Sequence, residues 1–305
     1  MPGSRPPDDP PRGGPPAGEE RIGGRDLGQW PTESGRRLVR SVDRVATVLG
    51  HVLRWSRANT ALVVTVVVGG LVVLALDLLA AEVYDAVSEG EGLQTLDRPV
   101  LDAAVSLRSP ARDAAMTTFT DLGGALWMTL GVLVVTVALA VWRRSWTPVV
   151  LMTIAAAGSV VMTVAGKDLV GRARPPAALA VPPLETSPAF PSGHTLNATV
   201  LVGMAAYLLL LGVGRVWVRV LVVAAAGGFV IAMGLSRVYL GHHWLTDVVA
   251  GWLLGLGWLA TVVTGHRVQI TLRRPVPVVT ADQPVRAARP ASSRATGTRN
   301  GEQET

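Results

Sequence analysis

A histidine and a carboxylate lie four residues apart near the end of the sequence, at His243 and Asp247. On a helix that begins near His243, this spacing places both side chains on one face, one turn apart. The carboxylate then accepts a hydrogen bond from one imidazole nitrogen and leaves the other as a lone-pair nucleophile. Arg237 precedes the pair on the loop, with a planar guanidinium suited to phosphate oxygens. A polar loop between two apolar helices is the alternative interpretation of residues 236–247.

A second polar cluster, at residues 191–194, has the features of an anion site. Ser192 can cap a helix that begins there, so that free backbone N–H groups point outward and attract an anion. Gly193 lets that anion approach the backbone without a side chain in the way. An imidazolium at His194 can protonate a leaving oxygen. The alternative is an ordinary serine-capped helix beside a histidine at the membrane interface.

A third cluster, at residues 167–175, supplies cations. Lys167 is the only lysine among the 28 lysines and arginines of the chain, which indicates a position that requires a compact ammonium group. Lys167 and Arg174 can bind the oxygens of a phosphate, and Arg172 can assist from outside. The alternative is that these side chains extend to lipid headgroups. His242, next to His243, would point elsewhere on a helix, and we predict no function for it.

The composition indicates a membrane protein. Of 305 residues, 49% are hydrophobic and only 16% are charged, and the mean hydropathy is +0.39 although both ends are polar. The absence of cysteine excludes disulfides and thiolate metal sites. The net charge of +6 comes largely from arginines in the tails and short loops, and the sequence has no nucleic-acid-binding motif. We expect no metal, no cofactor and no nucleic-acid partner.

Six apolar segments are candidates for membrane-spanning helices. About 20 helical residues cross the hydrocarbon layer, and the fifth segment is short at about 16. Buried helices of a soluble protein are the alternative for any single segment, but not for six that are each bounded by charges or turn residues. Gly251 and Gly255 have GxxxG spacing, which predicts close helix packing. The segments lie near residues 61–81, 123–142, 148–166, 195–213, 220–235 and 245–264.

The charges between these segments predict the orientation of the bundle. Residues 82–121 carry eight acids against three arginines. The positive-inside rule then places both termini in the cytoplasm and the three polar clusters together at the outer face of the cell membrane. Arginines are disfavoured on that side, so their presence there indicates a function. The short connections after the second and fourth segments carry, by contrast, no acid and four arginines: Arg143, Arg144, Arg215 and Arg219.

Three regions follow from these patterns. Residues 1–58 form a tail in which the first ~35 residues are disordered, followed by a basic helix at the membrane surface over 36–57. Residues 59–265 form an all-α bundle of six membrane-spanning helices. Within it, residues 82–121 lie along the outer interface as one or two helices. Residues 266–305 form a disordered, basic cytoplasmic tail.

The three polar clusters resemble the motifs of the type-2 phosphatidic acid phosphatase superfamily. Residues 167–175 match the first motif, K-x6-R-P, residues 191–194 match the second, P-S-G-H, and residues 236–247 match the third, S-R-x5-H-x3-D. Every motif position is filled in the family's order, and the resemblance covers about residues 90–265. It implies a six-helix membrane bundle and a metal-free phosphatase that acts on lipid phosphates at the outer face.

The clusters and the resemblance together predict a mechanism. His243, oriented by Asp247, attacks phosphorus to form a phosphohistidine. His194 protonates the leaving oxygen and then activates water to release phosphate. The groups expected to hold the phosphoryl group are Lys167, Arg174, Ser192, Gly193 and Arg237.

Several substrates fit a site at the membrane interface. An isoprenoid diphosphate such as undecaprenyl diphosphate is favoured by analogy with bacterial relatives, and phosphatidic acid and phosphatidylglycerol phosphate also fit. One alternative is an enzyme like the vanadate-dependent haloperoxidases of the same superfamily, which hold vanadate where the phosphatases hold phosphate. Six membrane spans argue against it. Another alternative is a non-catalytic lipid-binding or transport protein, which would need neither the histidine–carboxylate pair nor a second histidine.

Overall fold

The computed structural model shows a chain built from helices. The only strands in the described residues are Arg21–Ile22 (β1) and Arg25–Asp26 (β2), which pair antiparallel with Arg21 opposite Asp26. The all-α prediction is therefore confirmed. Most of the tail expected over residues 1–35, and all of residues 274–305, lie outside the described residues. The structure describes residues 59–273 and short stretches at 21–22, 25–26, 37, 40–45, 47–48 and 50.

Eight α-helices follow one another between residues 59 and 273. Six of them are long and apolar enough to cross a membrane, as the sequence predicts. The other two, α2 and α3, are shorter and lie between the first and second long helices. The helices are α1 (Thr60–Glu89), α2 (Asp97–Ser106), α3 (Pro110–Asp121), α4 (Ala125–Arg143), α5 (Thr147–Val170), α6 (Gly193–Leu210), α7 (Val216–Tyr239) and α8 (Leu245–Leu272).

Four of the six long helices are longer than the sequence predicts: α1 runs to Glu89 and α5 to Val170, past the ends expected near residues 81 and 166, and α7 and α8 are also extended. The fifth span, expected to end near residue 235, continues as α7 to Tyr239 and has 24 residues. The prediction that Arg237 lies on a loop is therefore wrong. The helix continues because the buried Arg237 guanidinium forms an ion pair with Glu185, so its charge does not end the apolar segment. The last helix, α8, runs to Leu272, past the end of the bundle expected at residue 265.

The connection between α1 and α4 is expected to contain one or two helices, and it contains two. A short 3-10 turn over Gly92–Leu96 leads into α2, and α3 follows after three residues. Ser109 caps α3, since its hydroxyl accepts a hydrogen bond from the Arg112 N–H at 3.4 Å and Pro110 occupies the first helical position. Leu101 of α2 is fully buried, which anchors this connection to the bundle.

The central helix of the bundle is α6, which packs against α5, α7 and α8. Small residues allow its close contact with α8. A β-carbon at Gly255 would lie 2.7 Å from the Thr199 Cβ, and one at Gly251 would lie 3.0 Å from the Thr195 Cβ. Both separations are too short for a side chain, so the close helix packing predicted from the GxxxG spacing is confirmed.

The helices that carry the three motifs bring them to one end of the bundle, which we call the site end. There α5 and α7 end, and α6 and α8 begin. Residues 171–192 cross the site end as an irregular segment that contains a 3-10 turn over Ala177–Leu179. Backbone hydrogen bonds hold it, among them those from the Ala189 N–H to the Arg172 carbonyl at 2.8 Å and from the Val181 N–H to the Leu240 carbonyl at 2.9 Å.

A glycine and an arginine lock this segment against the end of α7. Gly241 has φ +72°, and a β-carbon there would overlap the Leu179 carbonyl oxygen. Arg108, in the turn between α2 and α3, donates to the Tyr239 carbonyl at 2.9 Å from Nε and to the Leu179 carbonyl at 2.6 Å from Nη1. These bonds satisfy a carbonyl at the C-terminal end of α7 and join three connections into one surface.

Candidate active site

The histidine and carboxylate of the third motif lie together, but not through helical spacing. Helix α8 begins at Leu245, with Trp244 as its N-terminal cap, so His243 lies outside the helix. The prediction that His243 and Asp247 share a helical face is therefore wrong. Instead the Asp247 carboxylate folds back to accept the Trp244 N–H at 2.9 Å, and its Oδ2 lies 3.4 Å from His243 Nδ1.

The neighbours of His243 determine which ring nitrogen carries the proton. Arg174 Nη1 lies 3.1 Å from His243 Nε2. Because a guanidinium can only donate, Nε2 must hold the lone pair and Nδ1 the proton. The Nδ1–Oδ2 distance of 3.4 Å is longer than a good hydrogen bond, and the buried Nδ1 has no hydrogen-bond partner among the described residues.

His243 is neutral in this setting. Its side chain is almost fully buried. Burial, together with the positive charges of Arg237 and Arg174, holds the pKa of His243 well below its usual range. The imidazole therefore keeps its Nε2 lone pair at neutral pH, which is the state a nucleophile requires.

Two arginines of the site bind Glu185, a carboxylate on the 171–192 segment that was not predicted from the sequence. The buried Arg237 guanidinium donates to Glu185 Oε1. Arg174 Nη2 lies 2.6 Å from Glu185 Oε2. Burial alone would raise the pKa of Glu185, but the two guanidinium groups outweigh it and lower this pKa to about 2. Glu185 is therefore an anion bound where the sequence predicts a phosphoryl group.

Lys167 reaches the same segment from the last turn of α5. Its Nζ donates to the Ser187 hydroxyl at 2.9 Å and to the Pro188 carbonyl at 2.5 Å. Arg174 also holds Ser187, through the Ser187 carbonyl at 2.7 Å. The two cations predicted from the first motif are thus brought together near His243, beside the segment that carries Glu185.

The second motif begins helix α6 as expected, but the predicted capping bond is not formed. Ser192 is the N-terminal cap residue of α6, but its side chain makes no capping bond. That part of the prediction is wrong, because the Ser192 hydroxyl accepts a hydrogen bond from Thr195 Oγ1 at 2.9 Å and the Ser192 N–H donates to the Asp247 carbonyl at 3.0 Å. Ser192 is fully buried, whereas Gly193 and His194 line the same cavity as His243.

Arg172 does not face this cavity. Its Nη1 donates to Asp247 Oδ1 at 2.5 Å, and its Nη2 donates to Asp97 Oδ2 at 2.7 Å. Arg172 therefore makes no direct contact with this cavity, since both terminal nitrogens are bound to carboxylates, and its assistance from outside stays a prediction. Its partner Asp97, at the start of α2, is buried and was not selected from the sequence.

His242 points away from the cavity and holds the crossing segment. Its Nε2 lies 2.7 Å from the Val181 carbonyl. Burial and the nearby Arg237 lower the pKa of His242, so the neutral ring donates this hydrogen bond from Nε2. The prediction that His243, and not His242, belongs to the reactive pair agrees with this geometry.

Two acids of the site were missed, and the sequence held a signal for one of them. Glu185 is the only acid in the 171–192 segment, between arginine-rich and histidine-bearing motifs. A lone carboxylate there indicates an ion pair with those arginines. Asp97 is one of eight acids in residues 82–121, and nothing in the sequence distinguishes it from the others.

The cavity lined by His243 extends into the bundle and has a volume of about 550 Å³. Its polar mouth includes Lys167, Glu185 and His194. Below the mouth its walls come from α4, α5 and α6 and are largely apolar. Residues that line this deeper part include Met128, Val132, Leu133, Val149, Met152, Ala156, Val160 and Leu201. A polar mouth over an apolar channel between helices can hold an anionic headgroup and a hydrocarbon chain.

The sequence signature of the PAP2 superfamily matches residues 145–270. The chain is 30% identical over 180 residues to phosphatidylglycerophosphatase B of Bacillus subtilis, and this alignment covers 59% of the chain and 85% of that protein. It is 40% identical over 78 residues to undecaprenyl-diphosphatase of Sulfolobus acidocaldarius, which covers 26% of the chain and 33% of that protein.

A solved structure shows the same arrangement of helices. The crystal structure of a transmembrane PAP2-type phosphatidylglycerolphosphate phosphatase from Bacillus subtilis superposes with a TM-score of 0.60 at 28% sequence identity. The superposition covers 66% of this chain and 98% of the solved one. The residues matched by the family signature include all three polar clusters of the site end.

Proposed function

Because this chain belongs to the PAP2 superfamily and is a multi-pass membrane phosphatase, we propose that it hydrolyses a lipid phosphate through a phosphohistidine at His243. One observation carries the proposal. The Nε2 lone pair of His243 accepts a hydrogen bond from Arg174 at 3.1 Å, at the mouth of a cavity whose deeper walls are largely apolar. This places a neutral nucleophile where the phosphate of a membrane lipid would arrive.

In the first step, His243 Nε2 attacks phosphorus and the bond between phosphorus and the leaving oxygen breaks. His194, protonated when the negative charge of the substrate lies beside it, gives its proton to that oxygen. The imidazole ring of His243 becomes positively charged while the Asp247 carboxylate lies 3.4 Å from its Nδ1, so the negative charge stabilises the ring. The products of this step are the dephosphorylated lipid and the phosphohistidine.

In the second step, His194 is neutral and removes a proton from water. The resulting oxygen attacks phosphorus, the bond to His243 Nε2 breaks, and inorganic phosphate leaves. Fixed cations neutralise the charge that builds on the phosphoryl oxygens in both steps. The groups proposed to bind these oxygens are Lys167, Arg174, Ser192, the Gly193 N–H and Arg237. Since Ser192 is buried and bound to Thr195, its contribution would require a local rearrangement.

The shape of the cavity supports a lipid substrate. Phosphatidylglycerophosphatase B and undecaprenyl-diphosphatase are the names of two relatives, one acting on a glycerolipid phosphate and the other on an isoprenoid diphosphate. Both substrate types combine an anionic head with a hydrocarbon chain. These two parts match the polar mouth and the largely apolar deeper walls of the cavity. We propose a substrate from one of these two classes, with phosphatidic acid as a further glycerolipid candidate. The phosphatase domain would span residues 59–265 and its motif-bearing core about 90–265.

The experiment is a phosphate-release assay on the detergent-purified protein, run in EDTA with undecaprenyl diphosphate, phosphatidylglycerol phosphate and phosphatidic acid. We expect release without added metal, because fixed cations supply the charge. His243→Ala should lower activity below about one-thousandth of wild type, since it removes the nucleophile. The matched control is His266→Asn, which changes a buried histidine at the other end of α8 and should retain activity. Turnover by the His243→Ala protein would contradict the proposed mechanism.

The same preparation separates the two other functions. A haloperoxidase-like enzyme would oxidise halide when vanadate and peroxide are added and would release little phosphate. A lipid-binding or transport protein would bind these lipids without hydrolysis. Phosphate release that disappears with His243→Ala excludes both.

A further inference from the structure

We propose that Asp97 and Arg172 are positioning residues, which fix the orientation and the net charge of the His243–Asp247 pair. This inference rests on the proposed function, because it assigns these residues to the same reaction. Neither side chain lines the cavity that holds His243 and Lys167. Both line a smaller pocket of about 360 Å³ next to Arg174 and Trp244, so they act on the pair from its far side.

Asp97 connects helix α2 to the start of helix α8. Its Oδ1 accepts the Thr246 N–H at 2.9 Å, and its Oδ2 accepts the Thr246 hydroxyl at 2.7 Å. The same Oδ2 accepts Arg172 Nη2 at 2.7 Å. One buried carboxylate thus satisfies a backbone N–H at the first turn of α8 and orients a guanidinium.

Arg172, oriented by Asp97, in turn binds and orients the Asp247 carboxylate. Its Nη1 binds Asp247 Oδ1 at 2.5 Å and the Thr246 hydroxyl at 2.7 Å. The Trp244 N–H holds the other oxygen, Oδ2, at 2.9 Å. Both oxygens of Asp247 are therefore fixed, and Oδ2 is held 3.4 Å from His243 Nδ1. Because the guanidinium is planar and itself held at Asp97, the carboxylate cannot rotate away from the ring.

The charges of these groups explain why two acids accompany one arginine. A buried Arg172–Asp247 pair alone would be neutral overall, and its carboxylate would stabilise a cationic ring only weakly. Asp97 adds a second negative charge, so the three groups carry a net charge of −1 beside His243. The ring becomes positive only when it is phosphorylated. The effect of Asp97 therefore belongs to the chemical step and not to substrate binding.

The test uses Asp97→Asn in the full-length protein. The asparagine oxygen can still accept the Thr246 N–H, but the charge is removed. We expect kcat to fall by about 10-fold to 100-fold with KM little changed, since a charged hydrogen bond to the guanidinium is lost. The matched control is Asp102→Asn, the same substitution on the same helix, where Asp102 forms only an exposed ion pair with Arg98. This control should keep wild-type kcat and KM.

A second readout separates positioning from general stability. Orthovanadate mimics the phosphoryl group during transfer to His243, whereas inorganic phosphate mimics only the bound product. Asp97→Asn should weaken inhibition by orthovanadate by the same factor as kcat and leave inhibition by phosphate unchanged. Arg172→Lys, which keeps the charge but loses the two-pronged geometry, should lower kcat in the same way without raising KM.

Wild-type kcat in Asp97→Asn, or equal losses of orthovanadate and phosphate inhibition, would overturn the inference. If Asp97→Asn does not fold, Arg172→Lys decides by the same two inhibitors. Failure of the proposed function is recognised separately, because the wild-type protein would then release no phosphate from any lipid.

Discussion

At the scale of single residues, the anion site contains a carboxylate of the protein itself. Glu185 is bound by Arg237 and Arg174. These are the two arginines whose positive charges lower the pKa of His243 most. A phosphoryl group that approaches His243 Nε2 needs the same N–H donors. In the proposed function, substrate and Glu185 would therefore compete for these donors, and the Glu185 side chain would have to move when a phosphate binds.

Glu185→Gln should increase the affinity of the site for inorganic phosphate. The amide keeps the size of the side chain but no longer neutralises the two guanidinium groups, so a phosphate dianion displaces it more easily. We expect the inhibition constant for phosphate to fall about tenfold, which corresponds to ~1.4 kcal/mol. The measurement is competitive inhibition of lipid phosphate hydrolysis at neutral pH.

The control for this substitution is Glu89→Gln, on the exposed last turn of α1. It changes the net charge of the protein equally and should leave the inhibition constant unchanged. An unchanged or higher constant in Glu185→Gln would show that Glu185 does not compete with the bound anion.

The sequence predicts individual residues well where chemistry restricts the residue type. His243, Asp247, His194, Arg174 and Lys167 all lie at the site end because each motif adjoins a helix that reaches it. The partners of those residues are harder to predict. Asp97 approaches Arg172 across 75 residues of chain, and such a contact depends on how helices pack rather than on local pattern.

At the scale of helices, the contact between α6 and α8 holds the two histidines in place. Helix α6 begins one residue before His194, and α8 begins two residues after His243. The glycines of α8 let its backbone approach the turns of α6 that follow the second motif. Separation of these two helices would therefore move the proposed acid away from the nucleophile.

Gly255→Ala should destabilise the protein and lower its activity. The added methyl group would lie 2.7 Å from the Thr199 Cβ in a helix contact that has no spare room. Overpacking of this kind costs about 1–3 kcal/mol. The expected result is a melting temperature in detergent that is lower by several degrees, at about 2–4 °C per kcal/mol.

Gly265→Ala, on the same helix, is the matched control for Gly255→Ala. A β-carbon there would meet no atom within 4 Å, so alanine should be neutral or stabilising by up to about 1 kcal/mol through its helix propensity. Equal melting temperatures for the two variants would contradict the packing argument.

Hydropathy predicts which helices exist but not where each one ends. The six spans are predicted correctly because an apolar stretch of this length can satisfy its backbone hydrogen bonds in a membrane only as a helix. The end of α7 is missed because Arg237 is polar in sequence yet buried in an ion pair. The sixth apolar segment is predicted to begin at residue 245, and α8 does begin there. Its cap is not predicted, because Trp244 is not a usual capping residue and the Asp247 side chain caps the helix by accepting the Trp244 N–H.

At the scale of the whole molecule, the arrangement of charge predicts which face of the membrane carries the site. The end opposite to the site carries basic residues in the connection between α4 and α5, while the site end includes the acidic connection between α1 and α4. Cytoplasmic loops carry an excess of lysine and arginine. We therefore predict that the site end faces outward and that both termini are cytoplasmic.

Single cysteines test this orientation without any prior removal of native thiols, because the chain contains none. Ser106→Cys places a thiol on α2 at the site end, and Ser292→Cys places one in the C-terminal tail. A membrane-impermeant maleimide applied to intact cells should label the Ser106→Cys protein only. After the membrane is permeabilised, both variants should react. Labelling of Ser292→Cys in intact cells, with protection of Ser106→Cys, would place the phosphatase site in the cytoplasm and restrict its substrates to lipids of the inner leaflet.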